Sequence, residues 1–181
     1  VKIPLIGRHS VHTALRAAAV GLVEGMNWQE ILEGLSQSHT QLRLAAVRSE
    51  SGALLLDDTY NASPESMLAA LNLLDELDGR KIAVLGDMLE LGPYERGGHE
   101  MVGLRAAQVA GTLLTLGERA HIIAEAARKA GMKKSSVVEF DTLEPLVGWL
   151  NANLSKDDVV LIKGSHGLRM ERITNALEAR S

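Results

Sequence analysis

The hydrophobic rhythm of the chain changes near residue 43. Before that point apolar residues recur at helical spacing only. Val11, Leu15, Ala18, Leu22 and Val23 would share one face of a first helix, and Ile31, Leu32 and Leu35 the inside of a second. Asn27-Trp28-Gln29-Glu30 reads as a capping box opening that second helix. Two short helices cannot enclose a core, so this stretch is expected to pack on a neighbour or on further chain.

Beyond residue 43 strand and helix patterns alternate. Residues 44–47 and 53–56 flank Ser51-Gly52 and predict a hairpin. Three leucines ending in Asp57-Asp58 predict a buried strand that reaches the sheet edge. Ser63 then serves as N-cap, with Pro64 at the first helical position and Met67, Leu68, Leu71 and Leu74 at helical spacing. A strand over 81–85 leads through a loop extending past Gly98 to a helix ending near residue 110. Strand 112–116, helix 118–130 stopped by Gly131, and strand 137–140 follow. Asp141 to Glu144 could cap the next helix, with Pro145 in its first turn. Residues 159–162 form the clearest buried strand, and 168–179 a last helix aligning Met170, Ile173 and Leu177. Repeated strand–helix units imply a mostly parallel sheet with helices on both faces.

Composition narrows the function classes. The 181 residues suffice for one core plus a small appendage, and a formal net charge of −4 supplies no basic face for nucleic acid. An aromatic content of 3% leaves no base-stacking surface. The absence of cysteine excludes disulfide and thiolate chemistry and fits a reducing, cytoplasmic setting. No apolar run reaches membrane-spanning length and no signal-peptide pattern is present, so neither a membrane span nor export is expected. The chain starts at Val1 in what reads as the middle of a protein, so it is expected to be part of a longer one.

Three loops after strands carry unusual residues. They are Asp57-Asp58-Thr59-Tyr60-Asn61, then Gly86-Asp87-Met88-Leu89-Glu90-Leu91-Gly92, then Lys163-Gly164-Ser165-His166-Gly167. In the third, Lys163 and the N–H groups at a helix start could hold a phosphate or carboxylate. Each has an ordinary reading: strand-end acids cap turns, and Asp87 with Glu90 can be a solvated loop. Gathered on one rim of a parallel sheet, the three together suggest a ligand cleft. The six histidines show no His-Glu-x-x-His spacing, and His9 and His12 lack a third ligand, so no metal site is expected. Neither a Gly-x-Ser-x-Gly elbow, a Walker A loop nor a Gly-x-Gly-x-x-Gly turn is present.

Asp57-Asp58-Thr59-Tyr60-Asn61-Ala62-Ser63-Pro64 resembles the opening of the C-terminal domain of the Mur ligases. Gly86 to Gly92 with His99 downstream, and Lys163-Gly164-Ser165 before Arg169-Met170-Glu171, follow in the order of one branch of that family. That branch adds D-alanyl-D-alanine to UDP-N-acetylmuramoyl-tripeptide in peptidoglycan synthesis. Gly7-Arg8-His9-Ser10 and the Ala-rich helix after it are similar to the end of the family's central, ATP-binding domain. The resemblance implies an α/β, Rossmann-like C-terminal domain over 42–181, preceded over 1–41 by a short all-helical remnant of the central domain.

The family's reaction forms an amide: ATP phosphorylates a carboxylate, Mg²⁺ neutralises charge, and an amine attacks the acyl phosphate. By resemblance, Arg43 reaches the ATP phosphates and Asp58, or Asp57 one residue away, holds the ribose. Tyr60, Asn61 and His9 join them on the nucleotide side. Asp87, Glu90, His99, Lys163 and Ser165 would face the D-alanyl-D-alanine end. Ser10 and Thr13 stand where the family has Asn, and a hydroxyl lacks the paired donor and acceptor of an amide. His166 stands where Arg is common, and Gln41-Leu42 where Pro-Gly is usual. The stretch alone is expected to be inactive without the N-terminal and central domains, with no metal or nucleotide bound tightly to it. A sibling ligase using another amino acid, a phospho-accepting receiver domain and a non-catalytic Rossmann-like module are the alternatives.

Overall fold

The computed structural model describes residues 9–37 and 44–179. The chain divides into two compact units, Val1–Arg43 and Leu44–Ser181. In the first, α1 (His9–Val23) and α2 (Trp28–Gln37) form a helical pair. The capping box at the start of α2 is present: Asn27 Oδ1 accepts from the N–H of Gln29 at 2.9 Å and of Glu30 at 3.1 Å. Glu30 returns a carboxylate oxygen to the Asn27 N–H at 2.8 Å.

Of the apolar face expected for α1, only Ala18 is buried. Val11, Leu15, Leu22 and Val23 are exposed, whereas Ala14, Ala18 and Gly21 are buried. At Gly21 an added Cβ would stand 3.0 Å from Cγ1 of Ile31 on α2. The smaller residues allow the two helix backbones to approach, so close packing rather than side-chain size selects the contact face.

The second unit is a six-stranded sheet in the order β1-β2-β6-β3-β4-β5. Its strands are β1 (Ala45–Arg48), β2 (Leu54–Asp58), β3 (Arg80–Gly86), β4 (Thr112–Leu116), β5 (Val137–Phe140) and β6 (Asp158–Lys163). Among these six strands the β1–β2 hairpin pairs antiparallel and the others parallel. Five helices complete the unit: α3 (Pro64–Glu76), α4 (Glu95–Val109), α5 (Ala120–Lys129), α6 (Leu143–Asn153) and α7 (Glu171–Leu177).

Two hydrophobic clusters show which face each helix covers. Met67 and Leu71 of α3, Val102 and Ala106 of α4 and Ile123 of α5 pack with Leu56, Ala83, Leu85, Leu113 and Leu161. Leu146 and Leu150 of α6 and Ile173 and Leu177 of α7 pack with Leu55, Ile82, Val84, Leu114, Val160 and Ile162. Successive strand residues point to opposite faces, so β3 and β6 feed both clusters, and their central residues, 82–85 and 159–162, are all buried and apolar. The α/β architecture expected from the sequence, a mostly parallel sheet with helices on both faces, is therefore the one observed.

Some boundaries differ from expectation. The α4 helix starts at Glu95, so Gly97 and Gly98 lie inside it rather than in a loop. Glycine is a poor helix former, but Gly98 is buried where a Cβ would meet Pro64 Cγ at 2.8 Å. Packing against the start of α3 overrides propensity there. The last helix is shorter than read: a 3₁₀ turn, His166–Leu168, and a left-handed Arg169 (φ 53°) precede α7. The residue capping α6 is Thr142, and its side chain makes no capping hydrogen bond.

Candidate functional site

Strand order brings the three unusual loops together. β6 lies between β2 and β3, and Lys163 is in register with Asp58 on one side and Leu85 on the other. All three strands run parallel, so the loops that follow them leave from the same rim. They enclose a cleft of about 390 Å³ lined by Tyr60, Asn61, Leu89, Glu90, Ser165, His166 and Gly167.

The first loop is shaped by its own polar side chains. Asp57 Oδ1 accepts from the Thr59 N–H at 3.1 Å and from its hydroxyl at 2.7 Å, turning the chain as it leaves β2. Asn61 Oδ1 accepts from the Ala62 N–H at 2.8 Å. Ser63 and Ser66 then form a reciprocal capping box at the start of α3, with Pro64 at the first helical position. Tyr60 and Asn61 are left exposed at the cleft. The Tyr60 ring lies across from His166 of the third loop, with centroids 6.1 Å apart and planes inclined at 58°.

Beneath the cleft sits Lys163, 2% exposed. Its ammonium contacts Asp58 Oδ2 at 2.7 Å, the Asn61 carbonyl at 2.8 Å and the Asp58 carbonyl at 3.5 Å. Those acceptors account for its three N–H groups. It is not among the residues that line the cleft. Three of the N–H groups nearby are also committed: Ser165 donates to the Asp87 carbonyl, Leu168 to that of Ser165 and Arg169 to that of His166, each at 3.0 Å. The helix start expected to receive an anion is a 3₁₀ turn instead.

The second loop is pinned one residue after another. Asp87 is 4% exposed, and its Oδ1 accepts from the Ala120 N–H at 2.7 Å, satisfying a backbone donor at the start of α5. Arg119 lies 3.8 Å from Oδ2 of Asp87 and pairs with Glu95 at 2.7 Å. Gly117, at φ 104°, leaves room for that carboxylate, which a Cβ would meet at 2.6 Å. The buried His99 accepts from the Met88 N–H through Nε2 at 3.1 Å, while Nδ1 lies 2.7 Å from the Glu95 carbonyl. Ser165 Oγ accepts from the Leu89 N–H at 2.9 Å, joining the second loop to the third. Glu90 follows, exposed at the cleft with left-handed backbone at φ 63°. A non-glycine residue in that region is held by its surroundings, here by three anchored predecessors.

The sequence-derived candidates therefore separate into two layers. Tyr60, Asn61, Glu90 and Ser165 line the cleft, whereas Asp87, His99 and Lys163 are buried framework below it, and Asp58, 16% exposed at its side chain, is half-buried beside Lys163. The hydrogen bonds of Asp87 and His99 tie the second loop to α4 and α5. Arg43, His9 and Ser10 cannot be placed: Arg43 lies outside the described residues, as do the side chains of the other two. Leu89 and Gly167 were not singled out beforehand. They reach the cleft only because β6 inserts between β2 and β3. Among the described residues, no group of three His, Cys, Asp or Glu side chains could hold a metal ion.

Comparison with known proteins places this geometry in a family. Residues 42–166 match the family model described as Mur ligase, glutamate ligase domain. The UDP-N-acetylmuramoyl-tripeptide–D-alanyl-D-alanine ligase of Bacillus subtilis is 36% identical over 179 residues, covering 97% of this chain and 39% of that protein. Among solved structures, MurF from Acinetobacter baumannii superposes with a TM-score of 0.78 at 30% identity, over 97% of this chain and 38% of that one. MurF from Thermotoga maritima in complex with ADP gives 0.69 at 28% identity, over 87% and 35%. The chain thus spans about two fifths of the length of the curated relatives it matches. On the family match over 42–166, with the parallel sheet and its three converging loops, the chain belongs to the Mur ligases and carries their glutamate ligase domain.

Proposed function

We propose that this chain is the C-terminal part of an ATP-dependent ligase that joins D-alanyl-D-alanine to UDP-N-acetylmuramoyl-tripeptide in peptidoglycan synthesis. In this reading residues 1–41 end the central domain and 42–181 form the C-terminal domain. The cleft is one wall of a composite site completed by the N-terminal and central domains, so the stretch alone does not turn over ATP. The observation that carries the reading is the convergence of Tyr60, Asn61, Glu90 and Ser165 on one cleft, in a chain matched over 97% of its length by a ligase of that name.

The residues present suit these ligands. Asp58 is 16% exposed at its side chain and gives only Oδ2 to Lys163 among the described residues, leaving Oδ1 for a ribose hydroxyl. Tyr60 and Asn61 offer an aromatic face and an amide on the same loop. The ADP bound to the Thermotoga maritima relative supports a nucleotide here. Glu90 supplies a carboxylate for the ammonium of the incoming dipeptide, with Ser165 beside it. Arg43 and His9 belong to the same proposal, Arg43 as a permanently charged, bidentate contact to phosphate. Mg²⁺ would supply charge neutralisation for phosphoryl transfer, held in this reading by the domains that complete the composite site. Among the described residues no helix is long and apolar enough to cross a membrane, and the nucleotide-linked substrates suit a cytoplasmic enzyme.

The test uses the full-length protein. ADP release is measured with UDP-N-acetylmuramoyl-tripeptide and either D-alanyl-D-alanine or single amino acids. Release that requires the dipeptide is expected. Release with a single amino acid instead would make the protein a sibling ligase, and nucleotide binding without any release would make it a binding module.

A further inference from the structure

Lys163 is a buried cation that no step of the ligation uses, and its surroundings assign it a task. We infer that Lys163 is a positioning residue for the nucleotide contact: it fixes Asp58 and the Tyr60–Asn61 turn in the geometry that receives the nucleotide, without touching any substrate. The inference rests on the functional reading above only for the identity of the ligand that Asp58 meets.

The argument is one of donors and acceptors. A lysine ammonium has three N–H groups and no acceptor. In Lys163 they face Asp58 Oδ2 at 2.7 Å, the Asn61 carbonyl at 2.8 Å and the Asp58 carbonyl at 3.5 Å. With the residue 2% exposed, a ligand would have to displace one of these contacts. Two of the three lie on Asp58, at the end of β2, and the third lies three residues on, past Tyr60. One cation thus closes the turn from below and stops the Asp58 carboxylate from rotating. The carboxylate in turn neutralises a charge that would be costly to bury alone. Asp58 and Lys163 are in register on adjacent parallel strands, so the sheet itself sets their separation. The neighbouring framework residues, Asp87 and His99, serve the second loop, which leaves Lys163 as the side chain that braces the first from β6.

A double-mutant cycle in the full-length protein tests this, with ADP affinity by calorimetry and the KM for D-alanyl-D-alanine at saturating ATP as separate readouts. Lys163→Met is expected to weaken ADP binding about tenfold or more, leaving the KM for the dipeptide within about twofold. Asp58→Asn with Lys163→Met is expected to bind ADP no more weakly than Asp58→Asn alone and to melt above Lys163→Met, because the half-buried carboxylate left without its cation is gone. Lys163→Gln, which keeps a donor for the Asn61 carbonyl, serves the same comparison if the methionine variant does not fold. Intact ADP affinity with a raised dipeptide KM would overturn the inference, as would losses that multiply across the cycle or a wild-type protein that binds no ADP. If the wild type binds ADP but does not ligate the dipeptide, the functional reading fails and the ADP titration alone decides the role of Lys163.

Discussion

Nε2 of His99 accepts a hydrogen bond from the backbone N–H of Met88 at 3.1 Å, while its Nδ1 faces the carbonyl of Glu95 at 2.7 Å. An N–H and a C=O on opposite sides of the ring are satisfied together only when the proton is on Nδ1. A histidine in the middle of a motif invites a catalytic reading; here it fastens a loop to a helix. His99→Leu leaves the buried Met88 N–H without its acceptor, at a cost of about 1–3 kcal/mol. His99→Gln keeps an acceptor for Met88 and is expected to lose less. Urea unfolding of the three proteins checks the order, and equal midpoints for His99→Leu and wild type would sink it.

Asp87 does for α5 what an N-cap usually does from within the chain. Its carboxylate reaches the Ala120 N–H at 2.7 Å from a different loop. Asp87→Ala is expected to cost about 1–2 kcal/mol, as for loss of a helix cap, and to speed amide exchange at Ala120. Asp87→Asn keeps an acceptor and should recover most of that stability. Unchanged exchange at Ala120 in Asp87→Ala would show that the contact is not the one holding the helix start.

The cleft floor depends on two glycines that touch. A Cβ on Gly164 would stand 2.4 Å from Met170 Sδ and 3.1 Å from the Gly86 Cα, whereas a Cβ on Gly86 meets chiefly the side chains of Met170 and Leu168. Backbone cannot yield as a methionine can, so Gly164→Ala is expected to destabilise by about 1–3 kcal/mol. Gly86→Ala is expected to cost less, and Met170→Ala should relieve it further. Thermal unfolding of the single and double variants orders them, and a Gly164→Ala protein as stable as wild type would contradict the close approach.

Away from the cleft, His121 at the start of α5 pairs with Glu139 on β5, which also pairs with Arg128, and Asp141 lies 3.5 Å from the other ring nitrogen. The hydrogen bond to Glu139 raises the His121 pKa above its ordinary 6.5, against the opposing effect of partial burial. The folded protein therefore holds this proton more tightly than the unfolded chain. The stabilisation is complete below about pH 6.5 and fades as the pH rises through the raised value. For Glu139, burial pushes upward, but the hydrogen bonds from His121 and Arg128 outweigh it and bring the pKa below 4.5, so its contribution fades only in acid. Wild type is expected to lose more stability than His121→Asn between neutral and mildly alkaline pH. Parallel pH dependence of the two melting curves would rule out the pair as the cause.

The elements of the second unit were legible because each carries a local signal. Burial on both faces of β3 and β6 needs runs of Val, Ile and Leu, and Ser63-Pro64 announces α3 by capping chemistry. The identity of the three loops could be read in the same way, since their residue types and order persist in any conformation. Local signals failed where packing was the cause. Gly97 and Gly98 looked like loop, but at Gly98 a tight contact with Pro64 makes a small residue the better helix member. The buried stripe of α1 followed backbone approach rather than hydrophobicity.

What the sequence determined by itself was the α/β class, the strand order along the chain, and three polar loops suited to a ligand. Which side chains meet the cleft and which lie beneath it was decided only by tertiary structure. Lys163, Asp87 and His99 are as polar as Glu90 and Asn61, and nothing in their spacing separates the two sets. The separation came when β6 inserted between β2 and β3 and buried donors and acceptors had to find partners within the protein. Lys163 met Asp58, Asp87 met a helix start and His99 met a loop, while Tyr60, Asn61, Glu90 and Ser165 came to line the cleft.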